Sequence, residues 1–271
     1  MVMIDVHVLG SGGALPQAGH TPATYWIVVD GEPLLVDPGP GALVRLAAAG
    51  LIPAGTDSIG TVLLSHLHPD HSLDLVALLF AAHSPLPVRT DPLRVWGPPG
   101  LLDLLDRFRS IYGSWLEPRS RRLEAGELQP GQALDVPGGG RCEAFAVDHP
   151  QDRLSGVCLG FRFLDADGRC AVYSGDTGPC GNLVEAARGA DLLVVECSTP
   201  DELATPGHMA VSQVAELCRN SRPALTVLTH QYPPAAALDL ASLIGASYDG
   251  RVVQAVDGDV FTLPHGTGDS S

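Results

Sequence analysis

A strand that runs straight into a cluster of metal-binding side chains leaves few folds open, because residues from elsewhere in the chain must complete the cluster. Here the apolar run Thr61-Val62-Leu63-Leu64-Ser65 is followed at once by His66-Leu67-His68-Pro69-Asp70-His71. Alternate side chains of an extended backbone point to the same side, so His66 and His68 can grip one ion together. Asp70 and His71 then turn toward a second. Imidazole nitrogen and carboxylate oxygen form the donor set that suits zinc and its first-row neighbours.

The completing residues are expected at other strand ends. His149 follows the alternating stretch from Arg141 to Asp148, and Asp176 lies just past a short apolar strand in Tyr173-Ser174-Gly175-Asp176-Thr177. His230 closes Leu225-Thr226-Val227-Leu228-Thr229, which echoes the earlier run in placing a hydroxyl residue and then a histidine at its end. Strands are read near 2–9, 24–29, 33–37, 61–65, 141–148, 157–164, 170–174, 191–195, 225–229 and 251–255. Helices are read at 72–82, from after Gly97 to about 109, and at 181–188, 210–219 and 235–246. Strands flanked by helices in two halves suit an αββα sandwich. Asp257-Gly258-Asp259 reads as a hairpin turn, and residues 266–271 as a disordered tail after a single domain spanning 1–265.

The ordered set HxHxDH, His, Asp, His resembles the metallo-beta-lactamase fold hydrolases, and finer details resemble their ribonuclease Z and phosphodiesterase branch. Those details are Leu34-Leu35-Val36-Asp37-Pro38-Gly39-Pro40-Gly41, Gly97-Pro98-Pro99-Gly100, Ser174-Gly175-Asp176-Thr177, the run from Ala190 to Glu196, Gly207-His208-Met209-Ala210 and Leu228-Thr229-His230. The resemblance covers roughly residues 2–263 and implies an α/β fold, a four-layer αββα sandwich of two mixed sheets flanked by helices. It implies two divalent metal ions, zinc or manganese: one on His66, His68 and His149, the other on Asp70, His71 and His230, with Asp176 bridging. A bridging hydroxide held between two cations would be the nucleophile, since bound metal lowers the pKa of water. Asp176 stands where the best-known class B beta-lactamases carry a cysteine, which argues against that activity. Asp37 is expected to hydrogen-bond the site without touching metal. Asp70, His208 and Glu196 are the expected catalytic residues, with His208 paired to the Glu196 carboxylate and facing the substrate phosphate as a cation or general acid.

Composition narrows the setting. The chain has 271 residues, 45% hydrophobic, enough for a sizeable core, and metal-ligand candidates from 66 to 230 tie its halves together. No charged leader precedes an apolar segment and no run of about eighteen apolar residues occurs, so a cytoplasmic protein without a membrane partner is expected. The cysteines Cys142, Cys158, Cys170, Cys180, Cys197 and Cys218 show no CxxC pair and read as thiols. Leu9-Gly10-Ser11-Gly12-Gly13 lacks the spacing of a dinucleotide fingerprint and reads as a tight turn or a phosphate-facing rim. His7, His20, His83 and His265 have no partner motif and read as structural or exposed.

Charge and loop length then bear on substrate size. The formal net charge is -15 and every one of the 16 basic residues is arginine, which disfavours a platform for long nucleic acid. Arg89, Arg94, Arg107, Arg109, Arg119, Arg121 and Arg122 form a positive island that reads either as solvated surface or as an anion contact. Transfer-RNA-processing members of the resembled branch carry a basic Gly/Pro-rich arm, in many members between the third histidine and the bridging aspartate. Here Pro150 to Gly175 suffice only for two strands around a turn at Asp165 to Gly168. The expectation is a phosphodiesterase acting on a small diester such as a cyclic nucleotide. A ribonuclease Z-type tRNA 3′ endonuclease is the alternative, followed by a sulfatase, lactonase or thioesterase of the same fold. A homodimer is implied by the resemblance.

Overall fold

The computed structural model describes residues 4–84, 86, 89–150 and 156–263. Two seven-stranded mixed sheets face each other. The first contains β1 (Ile4–Gly10), β2 (Thr24–Val29), β3 (Glu32–Val36), β4 (Thr61–Leu63), β5 (Leu93–Gly97) and β6 (Leu123–Glu127). The second contains β7 (Ala133–Val136), β8 (Gly140–Val147), β9 (Cys158–Leu164), β10 (Cys170–Tyr173), β11 (Leu192–Glu196), β12 (Leu225–Thr229) and β13 (Arg251–Gln254). The last strand, β14 (Asp259–Leu263), returns to the first sheet, giving the orders β14-β1-β2-β3-β4-β5-β6 and β13-β12-β11-β10-β9-β8-β7.

Period-two side-chain alternation builds the layers. Ile4, Val6 and Val8 of β1, Tyr25, Ile27 and Val29 of β2, and Leu159, Phe161 and Phe163 of β9 meet in the core between the sheets. Trp26, Leu35, Val62 and Leu64 point the other way, onto α1 (Ala42–Ala48), α3 (Asp74–Ala82) and α4 (Leu101–Tyr112), with α2 (Pro69–Ser72) ahead of α3. Val172, Leu193, Val195 and Leu228 back onto α5 (Gly181–Ala187), α6 (Val211–Ser221) and α8 (Leu240–Gly245), with α7 (Pro233–Ala236) between the last two. The four layers are those expected from the sequence.

Several elements depart from the sequence reading. The helix expected over 72–82 is two pieces meeting at Leu73, and Asp74 accepts from Gly41 and Leu43 N–H, tying α3 to the turn after β3. The helix expected over 235–246 also breaks, and Asp239 caps its second piece through Ser242 N–H. Strands β5, β6, β7 and β14 and helix α1 were not anticipated. All five residues of β6 are half-buried, so no apolar alternation announces a strand that backbone pairing with β5 creates. The hairpin turn after Leu164 is present, Asp165 accepting from Asp167 and Arg169 N–H. His265 and the tail over 266–271 lie outside the described residues.

Candidate metal centre

The site sits where β3, β4, β8, β10, β11 and β12 end. Two groups of donors gather there, His66 with His68 and His149, and Asp70 with His71, Asp176 and His230, each group within 4.8 Å. In the first, His68 Nδ1 and His149 Nε2 are 3.2 Å apart. In the second, Asp176 lies 3.3 Å from His71 Nε2 and 3.2 Å from His230 Nε2, while Asp70 stands 3.7 and 3.6 Å from the same two nitrogens. Asp176 Oδ2 also reaches to 3.7 Å from His66 Nε2, so its carboxylate lies between the groups. Donors held at about 2.0–2.1 Å by one tetrahedral ion lie roughly 3.4 Å apart, and these spacings match.

The fit to a cation is sharper in the polar atoms left over. His66 Nε2, His71 Nε2, His230 Nε2 and Asp176 Oδ1 are buried without a hydrogen-bond partner. Buried polar atoms are normally paired, and an orphaned set converging on one space is what a cation would satisfy. The opposite ring nitrogens are all engaged. His71 Nδ1 is 2.9 Å from Asp37 Oδ2, His149 Nδ1 2.7 Å from Gly207 O, His66 Nδ1 3.0 Å from Ser65 Oγ, and His230 Nδ1 3.0 Å from Ser198 Oγ. Donation there fixes the tautomer that leaves Nε2 as an acceptor for metal.

Electrostatics follows the same geometry. Burial pushes the Asp176 carboxyl up, but His230, His71 and His66 hold it well below the usual carboxylate range. Burial and the His71 charge push His66 down, so it favours the neutral imidazole. For His71 burial acts downward, yet Asp176 and Asp37 raise it well above an ordinary histidine. His208 Nδ1 sits 3.1 Å from Glu196 Oε2, and against its burial that carboxylate raises it to about 9. Its ring stacks on His230 at 5.6 Å and 13°, and one of its nitrogens lies within 4.8 Å of donor atoms of His149 and Asp176.

Two of the four non-glycine residues with positive φ among the described residues lie here. Asp37 (φ 48°) and His230 (φ 51°) occupy the left-handed region, which costs a non-glycine residue about 1–3 kcal/mol. The turn holding Asp37 presses so closely on the motif that a Cβ on Gly39 would stand 2.1 Å from the Asp70 carbonyl oxygen. A Cβ on Gly13 would stand 2.8 Å from His230 Cε1 and 2.9 Å from Tyr232 Cε1, so the glycine-rich loop forms a rim of the site.

The structure thus brings together His66, His68, Asp70, His71, His149, Asp176 and His230, with Asp37, Glu196 and His208 beside them. Sequence reasoning missed Ser65, Ser198, Tyr173 and Tyr232. Tyr173 donates to Asp37 Oδ2 at 2.7 Å, and Tyr232 packs edge-on against both His208 and His230. Serine directly before His66 was the only available signal. The arginine island is largely neutralised: Arg89 pairs with Asp91, Arg94 and Arg122 with Glu124, Arg107 with Asp103, and Arg109 with Asp106 and Glu117. Arg121 is buried and donates to the Ile59 and Pro92 carbonyls, and Arg119 bonds His83. Five of the seven arginines thus have acidic partners, four of them well exposed, which favours the solvated-surface reading of the island over the anion contact. His20 bonds Ser11 at 2.8 Å, and the six cysteines form no disulfide.

Fold and site together define a metallo-hydrolase of the metallo-beta-lactamase type. The beta-lactamase superfamily domain model matches residues 33–231, and the chain belongs to that family. A relative named ribonuclease Z from Mycobacterium sp. (strain KMS) is 32% identical, the alignment covering 86% of each chain. An uncharacterized protein, ML1173 of Mycobacterium leprae, is 31% identical over 97% of this chain and 90% of its own. Among solved structures, the metallo-beta-lactamase fold protein YhfI from Bacillus subtilis superposes with TM-score 0.81 at 23% identity, covering 96% of this chain and all of its own. The short form of human tRNase Z superposes at 0.75 with the same identity and coverage. The family implies divalent metal use, and the donor set fits it. No helix among the described residues is long and apolar enough to cross a membrane.

Proposed function

We propose that the protein is a dinuclear phosphodiesterase acting on a small diester such as a cyclic nucleotide. The observation that carries it is the convergence of seven metal-type donors beside a histidine held to a buried carboxylate. His66, His68 and His149 would hold one divalent ion, zinc or manganese, and Asp70, His71 and His230 the other, with the Asp176 carboxylate lying between the two groups. Bound there, the ions would activate water and neutralise phosphate charge. Asp70, partly exposed, orients the attacking water. Protonated at neutral pH, His208 donates to the leaving oxygen, and Glu196 keeps its ring in place.

Charge and chain length support the small substrate. A chain with net charge -15 repels a polyanion, and residues 158–173 form a plain two-stranded hairpin with no arm. The relatives named ribonuclease Z favour the second reading, a tRNA 3′ endonuclease. A hydrolysis panel with the metal-replete protein decides between them: a small phosphodiester, a cyclic nucleotide, precursor tRNA, a lactone and a thioester. Turnover highest on the small diesters is the expected result. Efficient 3′ cleavage of precursor tRNA at physiological salt overturns it.

Two further assignments belong to this reading. That the six cysteines form no disulfide supports a cytoplasmic enzyme. A homodimer is supported by a groove of about 710 Å³ whose wall exposes Leu73, Phe80, Ile111, Tyr112 and Trp115. Contiguous exposed apolar patches on a protein surface mark interaction sites. Dimeric mass in sedimentation, lost in Trp115→Glu, checks it.

A further inference from the structure

Glu196 is fully buried and accepts from four groups: Thr177 N–H, Met209 N–H at 3.1 Å, His208 Nδ1 at 3.1 Å and the Ser198 hydroxyl. The same hydroxyl oxygen lies 3.0 Å from His230 Nδ1. A serine hydroxyl has one proton to give. The Glu196 carboxylate and the His230 carbonyl oxygen, 2.9 Å away, are both pure acceptors competing for it, so the 3.0 Å contact is made by His230 Nδ1–H donating, which leaves its buried Nε2 unprotonated toward Asp176 and Asp70. Asp37 and Ser65 repeat the device across the site. Ser65 Oγ donates to Asp37 Oδ2 at 2.6 Å and lies 3.0 Å from His66 Nδ1.

We propose that Ser198 is a positioning residue for the metal ion held by His230, through which Glu196 serves the metal site and the substrate-facing histidine at once. This rests on the dinuclear reading above. Removing His208 then costs the acid alone and removing Ser198 costs metal grip alone. The relay also explains why a carboxylate is buried at the end of β11, where a partner for His208 alone would not need Ser198.

The test is competitive zinc titration of the full-length protein against a chromophoric chelator, for the wild type, Ser198→Ala, Ser198→Thr and His208→Ala. Loss of such a partner weakens metal affinity by about 10–100-fold, so Ser198→Ala is expected to weaken one of the two ions on that scale and spare the other. Ser198→Thr restores it, and His208→Ala binds both ions as the wild type does. Wild-type affinity for both ions in Ser198→Ala, or no rescue by threonine, overturns the proposal. If the alanine variant does not fold, Ser198→Cys, a weaker donor of similar size, replaces it, with weakened second-ion affinity expected and wild-type affinity fatal. A wild type that binds two ions but cleaves no phosphodiester removes the substrate reading and leaves this inference standing. One that never takes a second ion removes the dinuclear reading and this inference together.

Discussion

The two sheets are built to one plan and used differently. Each begins with three antiparallel pairings and continues with three parallel ones, so β3 and β4 in the first occupy the places of β10 and β11 in the second. Asp37 follows β3 where Asp176 follows β10, and Ser65 follows β4 where Ser198 follows β11. The first half nevertheless packs four of its metal-type donors into one six-residue motif, whereas the second spreads His149, Asp176 and His230 over three strand ends and adds the Glu196–His208 pair. The matching frame supplies matching positions, and both halves contribute metal-type donors to the one site.

Asp176→Ala is the strongest way to break the comparison, since it removes the one side chain that spans both donor groups. Metal-assisted stabilisation is worth several kcal/mol, so activity is expected to fall by about 10³-fold or more, with metal content by elemental analysis falling below two per chain. Full activity with two ions retained would show that the halves do not share a bridge.

His208→Ala tests the second half alone. Phosphodiester turnover should drop by roughly 10²-fold while metal content stays at the wild-type value. Metal lost along with activity would make His208 a ligand.

A pH series sharpens the same point. His208 is raised to about 9 by Glu196 against its burial, so it keeps its proton across neutral pH and loses it as pH rises through that value. The rate should therefore decline above about pH 9, and the stability its charged pair contributes, complete below the unfolded histidine value near 6.5, fades as pH rises from there to about 9. An alkaline limb of the rate unchanged in His208→Ala would assign it to another group.

Arg122→Ala carries the smallest expected effect. Its exposed pair with Glu124 is worth under ~1 kcal/mol, so stability in denaturant titration and kcat/KM for a small diester should barely move. A large loss of diester activity would return the arginine island to the substrate.

Much of this was legible in the sequence because its signal is local. His66, His68, Asp70 and His71 lie in one motif, and apolar runs with period two mark the inner strands whose faces build the core. The echo between Thr61–His66 and Leu225–His230 was real as text but misleading as symmetry. β4 corresponds in the frame to β11, not β12, and strand order cannot be read from likeness between segments. Edge strands such as β6 were invisible because their stability comes from backbone pairing with a neighbour.

The sequence by itself determined which side chains could bind metal and that they would sit at strand ends, because residue chemistry and side-chain alternation are properties of short stretches. Only the tertiary structure decided that Ser65 and Ser198 link carboxylates to His66 and His230, and that Asp37 also takes a bond from Tyr173, 136 residues away. It also showed that the arginine island is already paired. Hydrogen bonds and ion pairs act over about 3–4 Å, and partners so far apart in the chain come that close only after the two sheets have packed.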